Sequence, residues 1–126
     1  MRRAAKACKG NNAVLHIKDL CELITRQITE LDRWDGWVGN VSGGASNAAS
    51  LRDLTVHCRE CVGSEVPIAA KVENRPGDLR IFIGDCTRLF ERTEWRPRRD
   101  VRAIIQDIAV WVREHSTALQ RSLEFS

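Results

Sequence analysis

The sequence predicts an α/β domain, α+β-like in character, with about four helices and several short strands. Three segments repeat apolar residues at helical spacing, and the short apolar runs between them end in glycine or proline turns. At 126 residues the chain is long enough for one domain with a modest core.

The first predicted helix spans residues 18–31. Its apolar positions fall at helical spacing and are expected to give one buried face. They are Leu20, Leu23, Ile24 and Ile28. His16 lies just before this helix, where a single histidine is typical of a structural hydrogen-bonding residue rather than of a catalyst.

Residues 37–41 indicate a short strand that ends in the Ser-Gly-Gly segment 42–44. Glycine there allows a sharp turn or a close approach of the backbone to a ligand. Ser50 is expected to begin the second helix as its N-cap, with Asp53 three positions later, as in a capping box. Gly63 ends that helix at the position where glycine is favoured.

Two further strands are predicted at residues 66–72 and 79–83, on either side of a turn at residues 75–78. Asp85 is expected to cap a short helix and Asp100 to cap the last one. The last helix has an apolar stripe that must pack on another element. It consists of Val101, Ile104, Ile105, Ile108, Trp111 and Val112.

The chain divides into three predicted regions. Residues 1–12 are a divergent basic arm, residues 13–115 are the folded region, and residues 116–126 are a polar tail. We expect the tail to be frayed, because it has few apolar residues.

The basic residues do not indicate a nucleic-acid partner. The net charge of +3 is mild. Five arginines do cluster near the last helix, but Trp95 is the one aromatic residue among them, and base stacking needs more. The arginines are Arg92, Arg96, Arg98, Arg99 and Arg102. We therefore expect a solvated face there.

Five cysteines in a chain without a signal peptide favour a reducing, cytoplasmic compartment. Cys58 and Cys61 form a C-x-x-C motif, but no second cysteine or histidine pair stands at zinc-ligand spacing. We expect two half-buried packing thiols and no metal, with a redox or metal role as the alternative. No apolar run is long enough to cross a bilayer, which predicts a soluble protein without a membrane partner.

The turn Arg75-Pro76-Gly77-Asp78 holds polar groups at both of its ends. Pro-Gly presets a tight turn, because proline fixes φ and glycine tolerates a positive φ. Arginine offers a planar fork of donors to a phosphate, and aspartate offers two acceptors to a ribose diol. The alternative is a solvated surface turn in which Arg75 pairs with Asp78 or Glu73.

Six motifs follow one another along the chain. They are Leu15-His16-Ile17-Lys18-Asp19-Leu20, Asn40-Val41-Ser42-Gly43-Gly44, Asn47-Ala48-Ala49-Ser50-Leu51, Arg75-Pro76-Gly77-Asp78, Ile83-Gly84-Asp85 and Glu94-Trp95-Arg96-Pro97. In this order they resemble the C-terminal part of NAD-dependent epimerase/dehydratases, the extended short-chain dehydrogenase/reductase family. The most similar branch is the CDP-paratose (CDP-tyvelose) 2-epimerase type. Ser42 departs from the pattern, since the family usually has a glycine there.

The resemblance implies that this region binds a nucleoside-diphosphate sugar, with a CDP-hexose as the implied substrate. Arg75 matches the family's diphosphate-binding arginine, Asp78 matches a carboxylate on the ribose side, and Ala49 matches an apolar position near the base. Asn47 is a further candidate contact, with capping of the Ser50 helix as its alternative role.

The resemblance also implies NAD as the cofactor of the intact family, whose catalytic base is a tyrosine in a Tyr-x-x-x-Lys pair. This chain has no tyrosine and no glycine-rich turn of a dinucleotide-binding half. We therefore expect a fragment that is inactive alone, with no catalytic and no cofactor-binding residue of its own. It would associate with the missing half or with itself.

A function of a different class remains open. The chain could be a non-catalytic scaffold or interaction domain that derives from a truncated gene. An upstream reading frame that encodes a Gly-x-x-Gly-x-x-Gly turn and a Tyr-x-x-x-Lys pair would favour the enzyme over the scaffold.

Overall fold

A computed structural model describes residues 10–64, residue 67 and residues 79–124 of the chain. This part forms six α-helices, a short 3₁₀-helix and three short strands, as expected for the α/β class. The helices are α1 (Ile17–Thr29), α2 (Leu31–Trp34), α3 (Leu51–Val62), α4 (Thr87–Arg92), α5 (Val101–Glu114) and α6 (Ser116–Glu124).

The strands form one small mixed sheet. β1 (Asn11–Ala13) lies in the centre, β2 (Ala48–Ala49) pairs with it antiparallel, and β3 (Ile81–Phe82) pairs with it parallel. The register places Asn12 opposite Ala49. The sheet therefore joins three stretches that are far apart in the sequence.

The hydrophobic core is centred on Leu23 of α1, Leu89 of α4 and Trp95, which are 1%, 0% and 3% exposed. Partly buried apolar side chains pack around these three. They are Leu15, Trp34, Trp37, Val41 and Phe90. Full burial of one large apolar side chain stabilises a fold by about 1.5–3 kcal/mol, so this cluster holds α1 against α4 and the segment that follows α4.

The caps of α3 and α5 agree with the sequence, whereas the N-cap of α4 is Cys86, one residue after the expected Asp85. Ser50 and Asp53 form a complete capping box at the start of α3, and Gly63 ends the helix in the left-handed conformation with a φ of 70°. The Asp100 carboxylate accepts the backbone N–H of Ala103 at 2.9 Å and so begins α5.

The glycines of the segment 42–44 are explained by the packing and backbone conformation within the chain. A Cβ atom on Gly43 would lie 1.7 Å from the carbonyl oxygen of Val14, so only glycine lets these two backbones approach. Gly44 has a φ of +77°, a value that favours glycine. The backbone N–H of Val14 donates to the carbonyl of Asn47 at 3.0 Å and fixes the loop beside β1.

Residues 37–41 do not form the predicted strand. Trp37 and Val41 instead pack against the core, and Trp37 contacts Trp34 edge to face at 5.4 Å between ring centroids. A short apolar run bounded by glycines fits either a strand or a loop that fills the core. Here the chain forms the loop, which packs the side chains of Trp37 and Val41 against the core.

The expectation of a frayed tail is also wrong over most of its length, because Ser116–Glu124 forms α6. The backbone N–H of Leu119 donates to the carbonyl of His115 at 3.0 Å. Alanine, leucine, glutamine and arginine, which make up residues 118–121, are strong helix formers, and their propensity outweighs the polar character of the segment.

The other predicted strands are covered only in part. Of residues 66–72, all but Pro67 lie outside the described part of the chain. In the segment 79–83, β3 occupies only Ile81–Phe82.

Helices α3 and α5 pack together, with polar contacts at their edge. The guanidinium of Arg102 donates to Glu60 at 2.8 Å, and that of Arg113 donates to the carbonyl of Cys61 at 3.0 Å. Cys61 is partly buried as expected, whereas Cys58 is exposed. The expectation of two half-buried thiols is therefore wrong for Cys58.

The substitution Leu89→Ala should lower the free energy of unfolding by about 2–5 kcal/mol, because it opens a cavity at a fully buried position. Leu123→Ala is the matched control, since Leu123 is 74% exposed and its loss should change stability little. Urea unfolding followed by circular dichroism measures both values. Equal effects of the two substitutions would contradict the position of the core.

Candidate functional site

The four residues that the sequence singles out for ligand binding divide into two pairs. Arg75 and Asp78 lie outside the described residues. Asn47 is the last residue of the 3₁₀-helix and Ala49 is the second residue of β2, and each is 6% exposed.

The side chain of Asn47 holds two parts of the chain together. Its amide nitrogen donates to the carbonyl of Arg99 at 3.1 Å, while its own backbone carbonyl accepts the N–H of Val14. It does not cap α3, because the hydroxyl of Ser50 accepts the N–H of Asp53 in that role. Asn47 therefore joins the small sheet to the segment that precedes α5.

The Asp19 carboxylate is a buried polar group that accepts three hydrogen bonds. Asp19 is 0% exposed, and its Oδ2 accepts hydrogen bonds from the backbone N–H groups of Arg98 and Arg99, each at 3.0 Å. Its Oδ1 accepts from the Arg99 guanidinium, which also donates to Glu22 at 3.1 Å. The charge of Asp19 is thus buried with all of its hydrogen bonds supplied by one short segment.

These contacts keep Asp19 ionised. Burial by itself raises the pKa of a carboxyl group, because it removes the charged form from water. The N–H groups of Arg99 and Arg98 and the Arg99 guanidinium outweigh this, so the pKa of Asp19 lies below its usual value.

Trp95 is bound by the same residue. The indole N–H of Trp95 donates to the backbone carbonyl of Asp19 at 3.1 Å, and the Trp95 ring lies 6.4 Å from the Phe90 ring. Asp19 therefore fixes both the beginning and the end of the segment from Trp95 to Arg99. Two of the sequence motifs, around His16 and around Trp95, meet at this point.

His16 acts as the N-cap of α1, which confirms its structural role. Its Nδ1 accepts the backbone N–H of Lys18 at 3.0 Å, so this nitrogen has no proton and the proton is assigned to Nε2. Nε2 lies 3.3 Å from Oδ2 of Asp107, and the Lys18 ammonium lies 2.6 Å from the same oxygen. The hydrogen bond from Lys18 is the main reason that the pKa of Asp107 is lowered.

Four of the five arginines of the basic cluster have side chains that are engaged in separate internal contacts. Arg96 donates to the carbonyls of Trp95, Thr93 and Phe90, at 2.7, 2.8 and 3.2 Å, and so closes the end of α4. Arg102 pairs with Glu60 and Arg99 with Asp19, while Arg92 donates to the carbonyl of Arg33. These guanidinium groups are directed to different parts of the fold.

The described residues do not fit a dinucleotide or a metal ion. Their positive-φ glycines are Gly36, Gly44 and Gly63, and none of these lies between a strand and an α-helix as a pyrophosphate-binding turn requires. No group of three or more histidine, cysteine or acidic side chains in this part of the chain could hold a metal. None of the described helices is both long and apolar enough to cross a membrane.

Sequence reasoning missed the role of Asp19. An acidic residue in the first turn of a helix is normally explained by the helix dipole. The available signal was its position in α1, four residues before the buried Leu23 and so on the same face as the core.

The substitution Asp19→Asn should lower the free energy of unfolding at neutral pH by about 3–5 kcal/mol, the range for breaking a buried ion pair. Asparagine keeps the shape but presents one oxygen and no charge to three donors. Asp35→Asn, at an exposed position, is the control and should change stability little. Chemical unfolding measures both values.

The effect should depend on pH in one direction. The folded pKa of Asp19 lies below the unfolded value of about 3.9, so the ionised group stabilises the fold above that pH. The stabilisation is lost as the pH falls through the folded pKa. The difference between wild type and Asp19→Asn should therefore shrink below about pH 4. A difference that grows on acidification would contradict an ionised Asp19.

No family model and no curated protein matches this sequence. Its fold, however, is similar to solved structures. RMD from Pseudomonas aeruginosa, solved in complex with NADPH, has a TM-score of 0.67 and 19% sequence identity, over 82% of this chain and 33% of RMD. The UDP-Glc/GlcNAc 4-epimerase from the human pathogen Campylobacter jejuni has a TM-score of 0.65 and 18% identity, over 83% of this chain and 31% of the epimerase.

The chain thus spans about a third of the length of these two proteins. At such low identity the similarity establishes the fold alone. It agrees with the partial short-chain dehydrogenase/reductase-like fold expected from the sequence.

Proposed function

We propose that this chain is the nucleotide-sugar-binding, C-terminal portion of an NAD-dependent nucleotide-sugar epimerase or dehydratase. The main support is that the chain has the fold of about a third of an NADPH-complexed protein and of a UDP-sugar epimerase. The motif order in the sequence supports the same family. The motifs favour the CDP-paratose 2-epimerase branch, and with it a CDP-hexose as the substrate.

The contact between Asp19 and the segment Trp95 to Arg99 also supports this proposal. The indole N–H of Trp95, in the last of the family-like motifs, donates to the carbonyl of Asp19 in the first, 76 residues earlier in the chain. The buried charge of Asp19 stabilises this junction, so the fold depends on the contact between the two motifs.

In the proposed site, Arg75 binds the diphosphate through its planar guanidinium, and Asp78 accepts hydrogen bonds from the ribose. Ala49 provides a small apolar surface near the base. Asn47 positions that surface, because its amide already binds the carbonyl of Arg99.

Catalysis and NAD binding are assigned to a dinucleotide-binding half outside this sequence. This chain has no tyrosine to act as the family's base, and its residues do not form the glycine-rich turn. Its own part is to bind and orient the nucleotide sugar. We propose a cytoplasmic location, because the four described cysteines are free thiols, as is usual in a reducing compartment.

The alternative is a non-catalytic scaffold or interaction domain. The internal contacts of Asn47, Arg96 and Asp19 favour it, because each of these polar side chains serves the fold. A titration with a nucleoside-diphosphate sugar distinguishes the two functions, because a scaffold is not expected to bind one.

The chain alone should not bind NAD or turn over a nucleotide sugar, because it lacks the groups that both require. Calorimetric titration with NAD measures the first and product analysis the second. Micromolar affinity for NAD in the isolated chain would contradict this expectation, because it would show that the chain binds NAD without the dinucleotide-binding half.

The substitution Arg75→Ala should weaken nucleotide-sugar binding by about 1.5–3 kcal/mol, the range for a hydrogen bond to a charged group. Arg75→Lys should recover only part of this, because lysine keeps the charge and loses the fork. The titration uses a chimera that restores the dinucleotide-binding half from a related enzyme.

Arg80→Ala is the matched control, since Arg80 is an exposed arginine a few residues beyond the turn. Equal losses at both positions would indicate general electrostatic attraction instead of a site. No loss at Arg75 would remove the residue on which the proposed function most depends.

A further inference from the structure

Two cysteines lie three residues apart near the end of helix α3. Cys58 is exposed and Cys61 is partly buried, and both are free thiols. Cys61 is the last residue but one of the helix, which ends at Val62. Side chains three positions apart are neighbours on a helix surface, with about 5–6 Å between their Cβ atoms. We call Cys58 and Cys61 the α3 thiol pair.

The backbone spacing of the α3 thiol pair is compatible with a disulfide. In an α-helix, Cα atoms three residues apart are separated by about 5 Å, within the range of about 4.4–6.8 Å that disulfides show. The Cβ atoms must approach each other by about 1–2 Å, because a disulfide holds them about 3.5–4.5 Å apart. The disulfide therefore requires a change over one turn of the helix, and α3 keeps its place in the fold.

The end of α3 is the part of the helix where this change is easiest. A 3₁₀ turn places the side chains of residues i and i+3 directly above one another, and α-helices frequently end in such a turn. With both thiols free, the last turn is α-helical, since the N–H of Gly63 donates to the carbonyl of Arg59 at 2.8 Å. Tightening of this turn moves Cys61 towards Cys58. The capping box at the other end of the helix is not affected.

The two thiols differ in their access to solvent. Cys58 is open to water, whereas Cys61 lines a cavity of about 100 Å³ between α3 and α5, together with Arg102 and Gln106 of α5. Redox-sensing cysteines are solvent-accessible and often stand next to a second cysteine that resolves the first product. The pair therefore has an accessible thiol for the first reaction and a protected thiol for the second.

We propose that the α3 thiol pair is a redox-sensitive modification site that reacts with small disulfides of the glutathione class. The Cys58 thiolate attacks one sulfur of oxidised glutathione, and the bond between the two glutathione sulfurs breaks. One glutathione leaves as a thiolate, and Cys58 holds the other in a mixed disulfide. Cys61 then loses its proton to water and attacks the Cys58 sulfur, which expels the second glutathione. The two protein thiols are oxidised to one disulfide, and one glutathione disulfide is reduced to two thiols.

The disulfide changes how α3 contacts α5. The Arg113 guanidinium donates to the Cys61 carbonyl at 3.0 Å, and the Arg102 guanidinium donates to Glu60 at 2.8 Å. Both acceptors lie on the turn that tightens, so both contacts depend on the oxidation state of the pair. In a reducing compartment disulfides are usually transient and catalytic or redox-sensing. The site therefore couples the oxidation of two thiols to the packing of two long helices.

Equilibration of the reduced full chain in glutathione buffers tests the proposal. The reaction is quenched with acid, and the products are identified by mass spectrometry. Trypsin cuts after Arg59, between the two cysteines, so the disulfide is detected as two linked peptides. Cys21 is the matched control, since it is exposed on α1 and has no second cysteine within four residues.

We expect the linked peptides in monomeric protein at low concentrations of oxidised glutathione. At about 1 mM reduced glutathione, the concentration of oxidised glutathione that gives half formation should be at least about tenfold lower than the one that half modifies Cys21, because the second step is intramolecular. Amide hydrogen exchange at residues 61–63 should change on oxidation of the wild type, because their turn tightens. The same treatment of Cys58→Ser should leave this exchange unchanged.

Two substitutions distinguish the two steps. In Cys61→Ser, the mixed disulfide at Cys58 should accumulate at least about tenfold over the wild type, because the resolving thiol is absent. In Cys58→Ser, Cys61 should react with oxidised glutathione several-fold more slowly than Cys21, because it is partly buried. Circular dichroism verifies that both variants are folded.

A mixed disulfide at Cys58 that is as abundant in the wild type as in Cys61→Ser overturns the proposal, because Cys61 would then not reach it. Equal modification of Cys21 and Cys58 at every glutathione ratio would indicate general thiol reactivity and overturn it as well. Linked peptides that occur only in covalent dimers have the same consequence. None of these outcomes depends on whether the chain binds a nucleotide sugar.

Discussion

The buried carboxylate of Asp19 is the interaction on which the rest of the described fold depends. It accepts two backbone N–H groups and a guanidinium from one segment, and its own carbonyl holds the indole of Trp95. That segment in turn offers the carbonyl of Arg99 to Asn47, which ties in the small sheet. An ionised group in this position is stable only when all of its partners are present. The geometry of the 95–99 segment therefore follows from the charge of one residue.

The helices could be predicted from the sequence because their signals are local. The capping box at Ser50, the glycine at residue 63 and the aspartate at residue 100 each fix a helix end through contacts a few residues away. The sheet could not be predicted, since strands of two or three residues have no periodicity to detect. Their pairing is set by contacts such as the close approach of Gly43 to Val14, which unite distant parts of the chain.

The candidate site was only partly accessible to sequence reasoning. Asn47 and Ala49 are both buried, but the contact that explains Asn47 is with a backbone carbonyl. Asp19 is likewise bound mainly by backbone N–H groups. Backbone groups are the same for nearly every residue type, so these contacts leave no trace in the sequence. The role of Arg75 and Asp78 stays a prediction from the turn and the motif order.

The distance along the chain between Asp19 and its partners has a consequence for folding kinetics. Closing a loop of 79 residues costs roughly 4 kcal/mol of chain entropy before any contact rewards it. During synthesis, α1 must therefore wait, with Asp19 hydrated, until the 95–99 segment has left the ribosome. Helix α3, which precedes that segment in the chain and has local caps, has no such delay. Helix α1 is thus fixed after α3, although it comes first in the sequence.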